Sequence, residues 1–196
     1  IKQEWAEGGK EKIAKGYDRL VQKGKKTQEE VDAILSRITP GLKENLCADC
    51  DLIVEAAFED MQVKKTTFAE LDKIAKPECV FASNTSSLSI TEIGNGLTRP
   101  MVGMHFFNPV PMMKLVEVIK GQLTSQEVHD KVMAIAAEVG KTPVSVNEAP
   151  GFVVNRILIP MVNEGIGIYA DGVATKEEID EAMKLGANHP MGPLAL

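Results

Sequence analysis

The sequence predicts an α/β domain that is followed by an all-helical segment. Residues 51–56 and 79–83 are short apolar runs, which is the pattern of strands buried on both faces of a parallel sheet. Helix-forming sequence at 61–76 separates them, so the three segments indicate a strand, helix, strand unit. Every segment after residues 147–151 has its apolar residues at helical spacing. This change of pattern predicts the end of the α/β domain.

Two amphipathic helices are predicted before the first strand. Apolar residues recur at helical spacing across residues 2–24, and Gly24 is typical of a helix C-terminus. Thr27 and Glu30 have the spacing of a capping box, which begins the second helix. We expect this second helix to close at Pro40-Gly41.

A β-hairpin is predicted in the middle of the chain. Residues 101–106 and 114–119 are β-like runs, and the two prolines in 108–111 cannot donate to a ladder, so they mark the turn. His105 and Glu117 are equidistant from the centre of this turn. In a symmetric hairpin they therefore sit opposite each other, with Cβ atoms ~4.5–5.5 Å apart.

The predicted pairing gives His105 a chemical role. Glu117 shares its strand face with Leu115 and Ile119, and a carboxylate between two aliphatic side chains needs a partner. Glu117 would fix the tautomer of His105 and stabilise its imidazolium, so that His105 could act as a general base. A satisfied structural histidine is the alternative, and spacing alone leaves both open.

The remaining elements follow in chain order. They are a helix from a Thr124–Glu127 capping box to Val139, a strand at 142–146, a helix at 152–170, and a helix from a Thr175–Glu178 capping box to Gly186. We therefore assign residues 1–147 to the α/β domain and residues 148–196 to the helical domain.

The composition limits the classes of partner that the protein is expected to bind. The 196 residues include 44% hydrophobic and 26% charged residues, which is typical of a globular protein. The net charge is −6 and basic residues form no block, so a nucleic-acid surface is not expected. The longest apolar region, 152–169, has too many polar interruptions for a membrane span of ~20 mostly apolar residues. A small molecule therefore remains as the expected class of substrate.

The cysteines do not indicate a metal site. Cys47, Cys50 and Cys79 are an odd number and no secretory signal is recognisable, so we expect a reduced, cytoplasmic protein. Cys47 and Cys50 have CxxC spacing, but a structural zinc site needs four ligands and no second pair follows. We therefore expect no bound metal.

Two polar segments are candidate ligand contacts. Residues 83–87 (Ser-Asn-Thr-Ser-Ser) follow a predicted strand, and ligands bind at the carboxyl ends of strands in open α/β sheets. A helix N-cap is the alternative for this segment. Asn155 lies in an apolar helix and needs a partner, which is either another helix or a substrate.

The glycines do not predict a dinucleotide site by themselves. The sequence contains no G-x-G-x-x-G motif. Residues 94–99 come nearest, but Arg99 stands in place of the third glycine and Pro100 follows instead of a helix.

Five motifs in order resemble the 3-hydroxyacyl-CoA dehydrogenase family, and most closely its bacterial 3-hydroxybutyryl-CoA members. The resemblance covers essentially the whole chain. The motifs are DLIVEA (51–56), ASNTSSL (82–88), GMHFFNPVP with KLVEVI (103–119), PGFVVNR (150–156), and KLGA with PMGP (184–193).

The resemblance implies a Rossmann-type domain that binds NAD, followed by a helical domain that closes over the acyl-CoA and forms a homodimer. In the family, the first strands and the glycine-rich loop precede the position of Ile1, and further helices follow Pro193. We therefore expect both domains to be incomplete in this chain. NADP stays open, because the acid that selects against it would lie in the preceding segment.

The resemblance also implies roles for single residues. The implied catalytic pair is His105, as base, with Glu117 as its orienting carboxylate. The implied substrate contacts are Ser86, Asn108, Asn155 and Lys23, and the implied cofactor contacts are Glu59, Lys64, Ser86 and Asn108. Lys23 is implied more weakly, because Gly16 replaces a side chain that other members use for coenzyme A.

The implied reaction is reversible NAD-linked hydride transfer on a short-chain (S)-3-hydroxyacyl-CoA, with 3-hydroxybutyryl-CoA and acetoacetyl-CoA as the pair. A different member of the wider 6-phosphogluconate-dehydrogenase-like clan is a second reading, which the motif at 105–109 (His-Phe-Phe-Asn-Pro) disfavours. A non-catalytic relative that keeps the fold without binding NAD is the third.

Overall fold

The computed structural model describes residues 2–196, which contain five strands and eight helices. The strands are β1 (Leu52–Glu55), β2 (Val80–Ser83), β3 (Met101–Phe106), β4 (Leu115–Lys120) and β5 (Thr142–Asn147). The helices are α1 (Gln3–Gln22), α2 (Gln28–Leu35), α3 (Lys43–Leu46), α4 (Met61–Leu71), α5 (Ile90–Gly94), α6 (Gln126–Glu138), α7 (Val154–Ala170) and α8 (Lys176–Gly186).

The strands form one mixed sheet in the order β1-β2-β3-β4-β5. β2 pairs with β3 in parallel, β3 with β4 antiparallel, and β4 with β5 in parallel. Helices connect β1 to β2, β2 to β3 and β4 to β5, whereas β3 and β4 are joined by the predicted hairpin. Only α7 and α8 follow the sheet, so the predicted class, a Rossmann-type α/β region followed by helices, is confirmed.

The described chain divides into two compact units. The first contains residues 2–53 and 69–79, and the second contains residues 54–68 and 80–196. The candidate site described below lies within the second unit. These units have other boundaries than the predicted domains, so the division at 147–148 stays a prediction.

The helices of the first unit begin as predicted, but α2 ends early. Gly24 has a positive φ of 64°, a conformation that favours glycine, and closes α1. The Thr27–Glu30 capping box is present. The prediction that α2 reaches Pro40-Gly41 is wrong, because its last i to i−4 hydrogen bond is donated by the Ser36 N–H and tighter i to i−3 bonds follow.

The core of the second unit lies on the sheet. All of β2 is buried, and the rings of Phe68 and Phe81 have centroids 5.2 Å apart. Other buried apolar side chains are Val102, Val116, Val118, Ile119, Val132 and Ala136. The run at 79–83 is therefore buried as the sequence predicts. The prediction that the run at 51–56 is buried on both faces is wrong, because Leu52 and Ile53 are only half-buried and Val54 is 39% exposed.

Thr124 is not part of a capping box, which corrects the prediction for α6. The N-cap is Ser125, whose hydroxyl accepts from the Val128 N–H. The Thr124 hydroxyl instead accepts from the Gly121 N–H at 3.0 Å and donates to the Met101 carbonyl. It thereby closes the turn after β4, a tertiary role that local spacing does not reveal.

Gly103 is required by the close approach of β3 and β4. A Cβ at this position would lie 2.7 Å from the Cβ of Ile119, its cross-strand partner.

We expect Gly103→Ala to lower the free energy of unfolding by about 1–3 kcal/mol, as overpacking does in cores. Urea denaturation measures this change in the free energy of unfolding. Gly16→Ala in α1 is the matched control, because nothing lies within 4 Å of that site. Equal stability of Gly103→Ala and the wild type would contradict this packing.

Candidate active site

His105 and Glu117 form the buried pair that the hairpin predicts. They are direct partners in the register of β3 and β4. The Nδ1 of His105 lies 2.8 Å from the Oε2 of Glu117, and the two residues are 4% and 1% exposed. The predicted pairing is confirmed. Since Nδ1–H donates to the carboxylate, Nε2 is the nitrogen that can accept a proton from a ligand.

Glu117 is held from a second direction. Its Oε1 accepts from the backbone N–H groups of Val153 and Val154, both at 3.0 Å, at the start of α7. A helix N-terminus favours negative charge because its N–H groups are otherwise unpaired. The carboxylate therefore receives three donors and cannot rotate away from His105.

Two phenylalanine rings flank the imidazole. The centroid of Phe107 lies 4.5 Å from that of His105, and the centroid of Phe152 lies 5.7 Å away. Phe152 has a positive φ of 53° directly after Gly151 at 75°. Such a conformation is uncommon for a bulky residue and costs of order 1–3 kcal/mol. It turns the chain so that Phe152 packs inward while the next two N–H groups reach Glu117.

The polar loop after β2 binds carboxylates of its own chain. The hydroxyl of Ser83 donates to Glu55 at 2.7 Å, and the hydroxyl of Thr85 donates to Glu59 at 2.5 Å. The alternative that residues 83–87 cap the next helix is wrong, since the N-cap of α5 is Ser89. This loop instead shapes the carboxyl end of the sheet.

Ser86 is fixed through its backbone on both sides. Its N–H donates to Glu59 Oε1 at 2.7 Å, and its carbonyl accepts from the Nδ2 of Asn155 at 3.2 Å. Asn155 therefore contacts a loop of the α/β region, not another helix. Within residues 2–196 the Ser86 hydroxyl has no hydrogen-bond partner, so it is available to a ligand.

Lys64 lies in a buried ion-pair network. It is 1% exposed, and its Nζ lies 2.9 and 3.1 Å from the two oxygens of Glu55 and 3.2 Å from Glu59. Burial raises the pKa of Glu59, but hydrogen bonds from Thr85, Ser86 and Lys64 outweigh it and hold that pKa below its usual value. The implied cofactor contacts of Lys64 and Glu59 stay predictions.

Two further predicted contact residues are exposed. Asn108 is exposed at the start of the hairpin turn, next to a cis peptide bond with Pro109. Lys23 is exposed at the end of α1, in the first unit. Their implied roles stay predictions.

Three residues that shape the site were not predicted from the sequence, namely Glu55, Phe107 and Phe152. Glu55 carried a usable signal. It stands in an apolar strand, and the argument that gave Glu117 a partner predicts a partner for Glu55 as well. Spacing gives no signal for the ring contacts of Phe107 and Phe152 with His105.

Glu148 ties the linker to α5. Its carboxylate accepts from the Ser89 hydroxyl at 2.7 Å, from the Thr91 N–H at 3.0 Å and from the Thr91 hydroxyl. Burial raises the pKa of Glu148, but these hydrogen bonds outweigh it and lower that pKa. The linker is therefore fixed a few residues before the turn that delivers Phe152.

We expect Glu148→Gln to lower the free energy of unfolding by about 1–3 kcal/mol at neutral pH, since it weakens hydrogen bonds to a charged acceptor. A lowered folded-state pKa contributes stability above the ordinary value of 4.5, and this contribution disappears as the pH falls through the folded-state pKa. Urea denaturation at several pH values measures the difference between variant and wild type. A difference that persists unchanged in acid would contradict the assignment.

Other features of the described chain lie outside this site. A cavity of about 250 Å³ opens at the other end of β3, near Met101 and Leu97. Burial, Cys50 and Glu44 raise the pKa of the Cys47 thiol, which disfavours its reactive thiolate.

Residues 2–196 contain no cluster of three or more metal-ligating side chains, and no helix there has the length and apolarity to span a membrane.

The chain matches two family models end to end. Residues 1–149 match the NAD binding domain of 3-hydroxyacyl-CoA dehydrogenase, and residues 151–196 match its C-terminal domain. The first match confirms NAD as the expected cofactor.

Named relatives agree with these matches. The chain is 59% identical to a 3-hydroxybutyryl-CoA dehydrogenase of Clostridioides difficile, over 94% of this chain and 66% of the relative. It is 50% identical to a probable 3-hydroxybutyryl-CoA dehydrogenase of Bacillus subtilis, over 100% of this chain and 69% of the relative. Thus it spans about two thirds of their length.

A solved structure shares the fold. The crystal structure of (S)-3-hydroxybutyryl-CoA dehydrogenase from Ralstonia eutropha superposes with a TM-score of 0.92 at 44% identity, covering 96% of this chain and 68% of the other. Together with the family models, these similarities confirm the resemblance seen in the sequence motifs. The chain belongs to the 3-hydroxyacyl-CoA dehydrogenase family.

Proposed function

We propose that this chain carries the reaction centre of an NAD-linked dehydrogenase that interconverts short-chain (S)-3-hydroxyacyl-CoA and 3-oxoacyl-CoA. The pair we favour is 3-hydroxybutyryl-CoA and acetoacetyl-CoA, which the names of the C. difficile and B. subtilis relatives support. The observation that carries the proposal is the buried His105–Glu117 pair, whose Nε2 is left for a substrate hydroxyl.

In the oxidation direction, Nε2 of His105 takes the proton of the C3 hydroxyl. Glu117 keeps Nδ1 protonated and stabilises the imidazolium that results. The Ser86 hydroxyl and the Asn155 side chain hold the oxygen as it changes from hydroxyl to carbonyl. In reduction, the imidazolium returns the proton to the oxygen.

The residues at the carboxyl end of the sheet fit the nicotinamide half of the cofactor. NAD supplies the acceptor for the hydride that leaves C3. The side chain of Glu59 is 40% exposed, so part of its carboxylate can accept hydrogen bonds from ribose hydroxyls. Phe58 beside it is 84% exposed and offers an apolar surface. Asn108 and Lys64 complete the proposed contacts, and Lys23 is the proposed contact for coenzyme A.

We infer a homodimer through the helical segment. The exposed apolar side chains of α7 and α8 support it, and they include Ile157, Ile159, Ile166 and Leu185 at 67%, 62%, 53% and 78% exposure. Apolar surface of this extent is typical of an interface. Sedimentation velocity of the enzyme tests the inference, and a monomer at micromolar concentration would contradict it.

We infer a reducing compartment such as the cytoplasm. The three cysteines, Cys47, Cys50 and Cys79, are free in the structure, which supports this inference. The inference is tested by alkylating the free thiols rapidly during extraction and counting the alkylated cysteines. A disulfide in the extracted protein would contradict the inference.

The activity is tested with the enzyme expressed from its complete reading frame. Acetoacetyl-CoA should be reduced with consumption of NADH. A panel of longer 3-oxoacyl-CoA substrates then measures the preference for acyl-chain length, and assays with NADPH in place of NADH measure the preference for the cofactor. The non-catalytic reading predicts no consumption with any member of the panel. Turnover of an unrelated oxo acid in preference to 3-oxoacyl-CoA would favour another member of the wider clan.

A further inference from the structure

The loop that carries Ser86 is held by a carboxylate that is itself open to solvent. Glu59 Oε1 accepts from the Thr85 hydroxyl at 2.5 Å and from the N–H groups of Ser86 and Ser87 at 2.7 and 3.2 Å. Its Oε2 pairs with Lys64 at 3.2 Å. Because the side chain is still 40% exposed, a ligand can reach the same carboxylate.

Thr85 is the residue that connects Glu59 to the rest of the loop. It is fully buried, and its hydroxyl donates to Glu59 while accepting from the N–H groups of Leu88 at 2.9 Å and Ser87 at 3.4 Å. These bonds fix the loop on both sides of Ser86. The Ser86 carbonyl is held separately by Asn155. Among the polar groups of Ser86, the hydroxyl alone has no partner within residues 2–196, so it remains for a substrate.

We propose that Glu59 and Thr85 couple the cofactor site to the substrate site, so that cofactor bound at Glu59 further stabilises the loop conformation that presents Ser86 to the substrate oxygen. Thr85 acts as a positioning residue and touches neither ligand. The inference rests on the proposed function, which places the cofactor's ribose at Glu59 and the substrate oxygen at Ser86. Binding couplings are reciprocal, so the acyl-CoA must tighten cofactor binding by the same factor.

The coupling can be measured without turnover. Acetoacetyl-CoA and NAD+ are both oxidised, so no hydride can pass between them and their ternary complex is stable. The ratio of the Kd values of acetoacetyl-CoA without and with saturating NAD+ is the coupling factor. For the wild-type enzyme we expect this factor to be about 5 or more.

Two variants break the link in different ways. Thr85→Val keeps the shape of the buried side chain but removes the hydroxyl. Glu59→Asp keeps the negative charge at a side chain that is 40% exposed, but shortens the reach to the loop. Both should reduce the coupling factor to within about twofold of 1. Thr85→Ser restores the hydroxyl and should restore the factor.

Thr67→Val is the matched control for the loss of a threonine hydroxyl. That hydroxyl donates only within α4, to the Val63 carbonyl at 2.8 Å, so the coupling should be unchanged. Thermal unfolding of each variant separates a loss of coupling from a loss of fold. A folded Thr85→Val or Glu59→Asp enzyme with the wild-type factor overturns the inference, as does a wild-type factor of 1. An enzyme that reduces no 3-oxoacyl-CoA overturns the proposed function instead.

Discussion

Replacing His105 with Gln should lower kcat for acetoacetyl-CoA reduction by about 10²–10⁴-fold, the range expected for losing general acid–base catalysis. The imidazole is buried, oriented by Glu117 and flanked by Phe107 and Phe152, so no neighbouring group can replace its proton transfer. Gln is close in size and can still hydrogen-bond to Glu117. The Kd of NADH, measured by fluorescence titration, should change little.

His129→Gln is the matched control. His129 on α6 is also buried, at 4% exposure. Its Nε2 lies 3.0 Å from the hydroxyl of Ser145 on β5. This substitution changes a buried histidine of the same fold outside the proposed site. A His105→Gln enzyme within a few-fold of the wild type, or a His129→Gln enzyme with an equal loss of kcat, would contradict the assignment of the base.

Replacing Glu117 with Gln should lower kcat by about 10²-fold or more, because it disturbs both the charge and the tautomer of the base. Three donors converge on the carboxylate, from His105, Val153 and Val154. A Gln amide has one acceptor oxygen, so its NH₂ group must face one of these donors. If it faces His105, the proton moves to Nε2 and the imidazole can no longer accept one from the substrate.

The same substitution should lower the free energy of unfolding by about 1–3 kcal/mol, since buried donors lose their acceptor. Steady-state kinetics and urea denaturation measure the two effects. Glu164→Gln on the exposed face of α7 removes one negative charge outside the site and serves as the control. A Glu117→Gln enzyme with wild-type kcat would mean that the charge beside His105 is not used.

The sequence contains enough information to predict the His105–Glu117 pair because a hairpin is local. Turn position and the two-residue period of strands together define the register, and the structure has that register. The contacts of Glu117 with Val153 and Val154 span 36 and 37 residues. No periodicity connects such distant segments, so only the folded chain reveals that α7 holds the carboxylate.

The polar loop after β2 shows a second limit. Its composition indicates either ligand binding or helix capping, and the two readings predict the same residue types. In the structure its buried hydroxyls bind Glu55 and Glu59, a third outcome. A buried carboxylate in an apolar strand predicts that some partner exists, but the partner's identity depends on tertiary packing.

Hydride transfer between the cofactor and C3 of a 3-oxoacyl-CoA should depend on His105. Incubation of the enzyme with acetoacetyl-CoA and NADH carrying deuterium at both C4 positions, followed by mass spectrometry of the acyl-CoA product, tests it most directly. We expect 3-hydroxybutyryl-CoA with one deuterium at C3 per NADH consumed, and near-complete loss of this product in the His105→Gln enzyme. A product without deuterium at C3 would mean that NADH does not deliver its hydride there. Labelled product formed equally well by His105→Gln would mean that His105 does not support the transfer.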